Sequence, residues 1–198
     1  MKTLIGLATE FREITDKKRT PFFSFYEELF PLIKETTKTI LEIGIRRGGS
    51  LVIWNDFFGA TAVYGLEANP KFIRRVDNLN RPNIHAVHLN QTDKKGMTEF
   101  AKSVGSFDLI IDDGSHMVGD QLISFEILWP FLRRGGYYCI EDMQSSFQEK
   151  YINQSPTTAE YFKNVSDYIL TSVWKHDFTK DYDRLIYVPS LIALRKRV

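Results

Sequence analysis

From Thr39 to Glu141 the chain repeats one pattern: a short apolar run, a polar or glycine-bearing turn, then a longer stretch with apolar residues at helical spacing. The apolar runs are Thr39 to Gly44, Ala62 to Glu67, Ile84 to Leu89, Phe107 to Asp112 and Gly136 to Glu141. They are nearly continuous in apolar residues, so each predicts a strand buried on both faces. Strands of that kind, alternating with helices, make a parallel sheet covered on both sides. The intervening helices are predicted over Ser50 to Phe58, Pro70 to Val76, Asp93 to Val104 and Val118 to Leu132. Pro70 suits a first helical turn, and Thr92 or Asp93 can cap the third of these helices.

The ends of the chain read differently. The first twenty residues are predicted to be a loose arm ending in Asp16-Lys17-Lys18-Arg19, before a helix over Phe22 to Ile33. Met143 to Thr158 is polar and aperiodic, and is predicted to be a loop over a site at the end of strand five. A helix follows over Tyr161 to Trp174. Arg184 to Val188 and Leu191 to Leu194 are strands joined only by Pro189-Ser190, and so short a joint demands an antiparallel hairpin.

Length and charge bound the function. A chain of 198 residues suits one domain, divided here into an arm and helix (1–36), a core (37–142) and a loop, helix and hairpin (143–198). Its 26 basic and 25 acidic residues leave a net charge of +1, which is no footprint for nucleic acid. The run Arg195-Lys196-Arg197 is expected to be a solvated tail, and Cys139 a buried, inert thiol. Met1 to Thr9 has too little apolar length for a signal peptide, and no run reaches a membrane span, so a cytoplasmic location is expected.

Ligands of an open parallel sheet sit beyond the carboxyl ends of its strands. After strand one comes Gly44-Ile45-Arg46-Arg47-Gly48-Gly49-Ser50. A dinucleotide fingerprint would have glycine where Arg46 stands, so a nucleoside without phosphates is the better fit. Glu67 ends strand two, where a carboxylate accepts from ribose hydroxyls. Asn90-Gln91-Thr92-Asp93 places short polar groups where an adenine edge would lie, or caps the next helix. Strand four ends in Asp112-Asp113-Gly114-Ser115-His116 and strand five in Glu141-Asp142. If these strands are neighbours, Asp113, Glu141 and Asp142 converge. Carboxylates packed together repel one another, and a hard divalent cation relieves that. Histidine titrates near neutrality, so His116 suits a general base beside the metal. The same residues could instead be loop and capping groups.

These motifs resemble the metal-dependent catechol O-methyltransferases and, further, the mycinamicin-type macrolide sugar O-methyltransferases of polysaccharide and antibiotic clusters. The second resemblance spans about Thr15 to Gln148. It includes Thr15-Asp16-Lys17, Tyr26 to Phe30, Leu41 to Gly44, Gly48 to Leu51, Phe107 to His116 and Gly135 to Asp142. It implies an α/β, Rossmann-like, doubly wound fold: a mostly parallel seven-stranded sheet with a C-terminal antiparallel hairpin. It also implies S-adenosylmethionine as cofactor, held by Glu42, Gly44, Arg46, Gly48, Ser50, Glu67, Asn90, Gln91 and Asp112. Asn90 stands where the sugar-modifying family has aspartate. The metal, expected to be Mg2+, falls to Asp113, Glu141 and Asp142, with His116 and Asp113 as catalytic residues. The acceptor expected is a glycoside, nucleotide-sugar or other small diol, and a homo-oligomer is compatible with the sequence. The large extra domain of some members is not seen in the sequence, so acceptor recognition does not carry over. The rival readings are a hydroxylase-like relative of the cephalosporin-hydroxylase type and a non-catalytic nucleoside-binding module. A nicotinamide dehydrogenase is disfavoured by Arg46 and by the hairpin.

Overall fold

A computed structural model describes residues 2–59, 62–172, 174–175 and 180–198. The five expected parallel strands are β1 (Thr39–Ile43), β2 (Ala62–Glu67), β3 (Ile84–His88), β4 (Phe107–Asp112) and β5 (Leu132–Glu141). The terminal pair is β6 (Tyr182–Val188) and β7 (Leu191–Lys196). Together they form one seven-stranded sheet in the order β3-β2-β1-β4-β5-β7-β6. Its first five strands run parallel, β7 is antiparallel to β5, and β6 is antiparallel to β7. This is the Rossmann-like α/β architecture expected from the sequence.

The helices are α1 (Leu4–Glu10), α2 (Phe23–Ile33), α3 (Gly49–Phe58), α4 (Pro70–Asp77), α5 (Lys94–Val104), α6 (Val118–Leu128) and α7 (Thr158–Thr171). Neighbouring strand residues feed opposite cores. Ile40, Leu109 and Ile111 pack with α1, α2 and α3, whereas Leu41 and Ile110 pack with α5, α6 and α7. That alternation is why the strands read as continuous apolar runs. Cys139 is buried, as expected. Among the described residues no helix is long and apolar enough to cross a membrane.

Five local expectations change. The arm is not loose: α1 buries Leu4, Leu7 and Ala8, and a 3-10 turn at Lys17–Arg19 buries Lys17. The Arg133-Arg134-Gly135-Gly136 run does not precede β5 but lies within it, at a register shift against β4. Helix α6 stops at Leu128 because Pro130 cannot continue it, and Trp129–Phe131 form a 3-10 turn. The basic run is no solvated tail. Lys196 ends β7 in a buried position, donating to the Trp129 carbonyl at 2.9 Å, and Arg195 pairs with Asp183 at 3.0 Å. Helix α7 begins three residues before the expected Tyr161, on a capping box between Thr157 and Glu160. Val173, inside the helix expected to reach Trp174, lies outside the described residues.

Candidate active site

The sheet reverses direction of growth between β1 and β4, which are direct neighbours. Beyond their carboxyl ends lies a cavity of about 590 Å³. Its wall runs from Glu67 through Gly44, Arg46 and Ser50 to Asp113, His116, Glu141 and Asp142. The turn after β1 needs glycine twice over. Gly44 has φ of +81°, and a Cβ there would lie 2.1 Å from the Asp113 carbonyl oxygen. Glu67 receives the Asn69 and Arg46 backbone N–H groups at 2.8 and 3.1 Å. A carboxylate oxygen can accept more than one hydrogen bond, so ribose hydroxyls can still be held there.

Deeper in, the carboxylates separate into two layers. Glu42 and Glu141 are buried, and so is the Lys17 ammonium between them. Lys17 donates to Asp113 Oδ2 at 2.8 Å and to Glu141 Oε2 in a very short contact, and lies 3.4 Å from Glu42 Oε1. Tyr26 donates its hydroxyl to Glu141 Oε1 at 2.7 Å. The indole of Trp54 donates to Glu42 Oε2 at 3.0 Å. Burial alone would lower the Lys17 pKa, but Asp113, Glu141 and Glu42 together hold it well above the ordinary lysine value. Burial pushes both Glu42 and Glu141 up, with Lys17 pulling each back and Asp113 adding to the rise. The directions are compatible. One ammonium faces three carboxylates, so the layer keeps its cation while its acids hold protons more tightly than solvated ones.

The outer layer is Asp113, His116 and Asp142. One ligand atom from each lies within 4.8 Å of the others, and all three side chains are partly exposed. His116 Nε2 is 3.4 Å from Asp142 Oδ2, while its Nδ1 is buried with no hydrogen-bond partner among the described residues. His116 and Asp142 both sit at positive φ, 61° and 55°. A non-glycine residue in that region is strained, and such strain gathers at functional sites. Gln144 fixes Asp142 by donating to its Oδ1 at 3.0 Å, and Ser190 on the β6–β7 turn donates to Gln144. The two carboxylates can hold a divalent cation, and the imidazole beside them, with its unpartnered Nδ1, can handle a proton.

The cavity brings together Glu67, Gly44, Arg46, Ser50, Asp113, His116, Glu141 and Asp142 of the sequence-predicted set. Glu42 stands behind it, bonded to Ser50 and Trp54. Gly48, at φ of +77°, caps α3. Three other residues lie outside its lining. Asn90 folds onto Thr92, accepting from its backbone N–H at 2.9 Å. Gln91 is buried between the Ser115 N–H, 2.7 Å away, and the Ser124 hydroxyl. Asp112 is buried against the Gly114 N–H, and burial pushes its carboxyl up to about 7. Lys17, Tyr26 and Trp54 belong to the candidate site's inner layer, and sequence reasoning does not mark them as functional residues. The one signal for Lys17 is Thr15-Asp16-Lys17, a motif that carries the family resemblance without itself showing a chemistry. The segment after β5 forms 3-10 turns at Met143–Phe147 and Glu149–Tyr151. It is tied down by Asn153, which accepts from the Gly119 N–H at 2.7 Å, and Tyr151 stands edge-on to His116.

A sheet of this order, with candidate ligand groups beyond the carboxyl ends of β1 and β4, points to one class of protein. Residues 41–143 match a family model described as a methyltransferase domain, and the chain belongs to that S-adenosylmethionine-dependent methyltransferase family. Within it, the chain is related to the MycE-type macrolide sugar O-methyltransferases. It is 32% identical over 153 residues to the 8-demethyl-8-alpha-L-rhamnosyl tetracenomycin-C 2'-O-methyltransferase of Streptomyces olivaceus, covering 72% of this chain and 39% of that one. It is 34% identical over 149 residues to the mycinamicin VI 2''-O-methyltransferase of Micromonospora griseorubida, covering 68% and 36%. The chain thus spans well under half the length of these curated relatives. The structure superposes on the MycE methyltransferase of the mycinamycin biosynthetic pathway, solved with Mg, SAH and mycinamycin VI. There the TM-score is 0.83 at 27% identity, covering 99% of this chain and 55% of that one. A putative caffeoyl-CoA O-methyltransferase from Staphylococcus aureus shares the fold, with a TM-score of 0.56 at 19% identity, over 98% of this chain and 97% of that one.

Proposed function

We propose that this chain is a metal-dependent O-methyltransferase acting on a sugar hydroxyl of a small glycosylated molecule. The observation that carries the reading is one continuous cavity with Glu67 at one end and Asp113, His116 and Asp142 at the other. The first end suits a nucleoside and the second an oxygen that must lose a proton. Relatives at about one-third identity methylate sugars on tetracenomycin and mycinamicin, which supports the acceptor class.

In this reading Glu67 receives the ribose hydroxyls, and the Gly44–Ser50 turn admits the amino-acid part of S-adenosylmethionine. Asp113 and Asp142 would hold Mg2+, with Glu141 directly behind them. A divalent cation there would lower the pKa of a hydroxyl brought against it. His116 would take the hydroxyl proton. The acceptor oxygen would then attack the sulfonium methyl in line, the O–CH3 bond forming as the S–CH3 bond breaks and S-adenosylhomocysteine leaves, and the gain comes mainly from holding the two reactants in that geometry. The test is mass spectrometry of candidate glycosides and nucleotide-sugars incubated with the protein, S-adenosylmethionine and Mg2+. A gain of one methyl that disappears on chelation is expected. A protein that binds no S-adenosylmethionine would end the methyltransferase reading. Methylation that survives chelation would replace it with a metal-free mechanism.

A further inference from the structure

Thr15-Asp16-Lys17 takes no part in the chemistry above, yet its lysine reaches the centre of the site. Lys17 is 96 residues from Asp113 and 124 from Glu141 in the chain, and bonds both. An ammonium is costly to bury and is not found there without partners. Its three N–H donors radiate from one nitrogen, and here they face three carboxylates. The arm is built to deliver it. Lys17 N–H donates to Thr15 Oγ1, and the Thr20 hydroxyl closes the turn on the Lys17 carbonyl at 2.6 Å. Upstream, Leu4, Leu7 and Ala8 anchor α1 in the core. The arm also crosses the start of α3 at Gly49, where a Cβ would lie 2.5 Å from the Ile14 carbonyl oxygen. Glu13, Thr15 and Asp16 thereby become cavity wall.

We propose that Lys17 is a positioning residue of the transfer site. Its ammonium is the resident counter-charge that holds Asp113 and Glu141 in place, so the N-terminal arm is a working part of the site. Glu141 has no freedom while Lys17 and Tyr26 each occupy one of its oxygens. Asp113 belongs to both layers, and Lys17 engages it through Oδ2 alone. Without the ammonium, buried acids crowd one another, and Asp113 loses the contact that aims it. This rests on the metal-dependent reading of the same cavity.

The experiment compares the parent with Lys17→Met, Lys17→Arg and Leu132→Ala. Mn2+ affinity is read by electron paramagnetic resonance with S-adenosylhomocysteine present, and folding by thermal melting. Lys17→Met should weaken Mn2+ binding by about 10–100-fold, the range for partners that orient metal ligands. Lys17→Arg keeps the charge in a planar fork and should recover part of it. Leu132→Ala opens space in the opposite core, at the far end of β5 from Glu141, without touching a charge or the arm. It should lower the melting temperature and leave Mn2+ affinity within about twofold, as expected of a site with no shared partner. A folded Lys17→Met protein that binds Mn2+ like the parent overturns the proposal. So does a Leu132→Ala protein that loses as much Mn2+ affinity as Lys17→Met, because the loss would then report a loosened fold and not a missing counter-charge. Should Lys17→Met not fold, the parent labelled with 15N-lysine decides. A slowly exchanging Lys17 ammonium signal that Mn2+ broadens is the expected result, and one that stays sharp in saturating Mn2+ overturns it. A parent that binds neither S-adenosylhomocysteine nor Mn2+ removes the functional reading instead. A fast-exchanging Lys17 ammonium would then remove this proposal as well.

Discussion

The two layers of the site use the same residue types to opposite ends. In the inner layer, Glu42 and Glu141 are 0% and 1% exposed, and both carboxylates are paired within the protein, with Lys17, Tyr26 and Trp54, Glu42 Oε1 through its 3.4 Å ion pair to Lys17 alone. In the outer layer, Asp113, His116 and Asp142 are 26%, 27% and 34% exposed, and His116 and Asp142 sit on strained loop backbone. A buried charge left alone is too costly to keep, so the inner layer must be closed on itself. The outer layer borders the cavity, where solvent or a ligand can complete it. Function belongs where compensation has been left to something that binds.

That contrast predicts different failures for the two layers. The largest effect is expected in the outer layer. His116→Ala should lower turnover by about 10²–10⁴-fold, the usual contribution of a positioned base, while cofactor and metal binding persist. Rates and calorimetry on the same preparation check this, and a variant that turns over like the parent would make His116 an ordinary loop residue. Glu67→Ala tests the far end of the cavity. It should weaken S-adenosylmethionine binding by about 1.5–3 kcal/mol, the value of hydrogen bonds to a charged group. Unchanged affinity by calorimetry would remove Glu67 from the ribose site.

Apart from Lys17, which also engages Asp113, the inner layer should fail by unfolding. Trp54→Phe keeps an aromatic ring but removes the N–H held by Glu42 Oε2. Denaturant unfolding should show a loss of about 1–3 kcal/mol, the cost of leaving a buried acceptor short of a donor. A variant as stable as the parent but catalytically dead would mean the two layers are one unit. The smallest effect is expected far from both, at Asp181. Burial raises its pKa, but the Trp129 N–H and the Lys196 ammonium lower it further, leaving the carboxyl below its ordinary value. A depressed folded pKa stabilises above the unfolded value and is lost as pH falls through the folded one. Asp181→Asn should therefore cost under about 1 kcal/mol at neutral pH, since the pair is partly solvated, and nothing in strong acid. Thermal melts across pH measure the difference.

Much of the fold was legible because a strand buried on both faces must be apolar throughout. The runs from Thr39 to Glu141 therefore marked five strands within a few residues, and the two-residue joint at Pro189-Ser190 required an antiparallel pair. The site was legible to the extent that it lies at strand ends: Glu67, Asp113, His116 and Asp142 each follow directly from where a strand stops. Asn90 and Gln91 also follow a strand, but the local chain absorbs them, one in a turn and one between α6 and the Ser115 loop.

Periodicity and turn chemistry are local, so the chain's own order of residues was enough to set which segments are strands, which are helices, and that the last two strands pair with each other. It was not enough to say which of those two strands docks on β5. That was decided by packing: β7 offers Leu191 to Leu194, buried on both faces, whereas β6 is only partly buried and stays at the edge. Nor was it enough to place Lys17. A lysine within the charged run Asp16-Lys17-Lys18-Arg19 has the composition of a solvated one. It is buried only because three carboxylates from distant strands arrive at one point, and their mutual repulsion makes a cation there worth its desolvation. Charge compensation acts through space, and no window along the chain contains both halves of it.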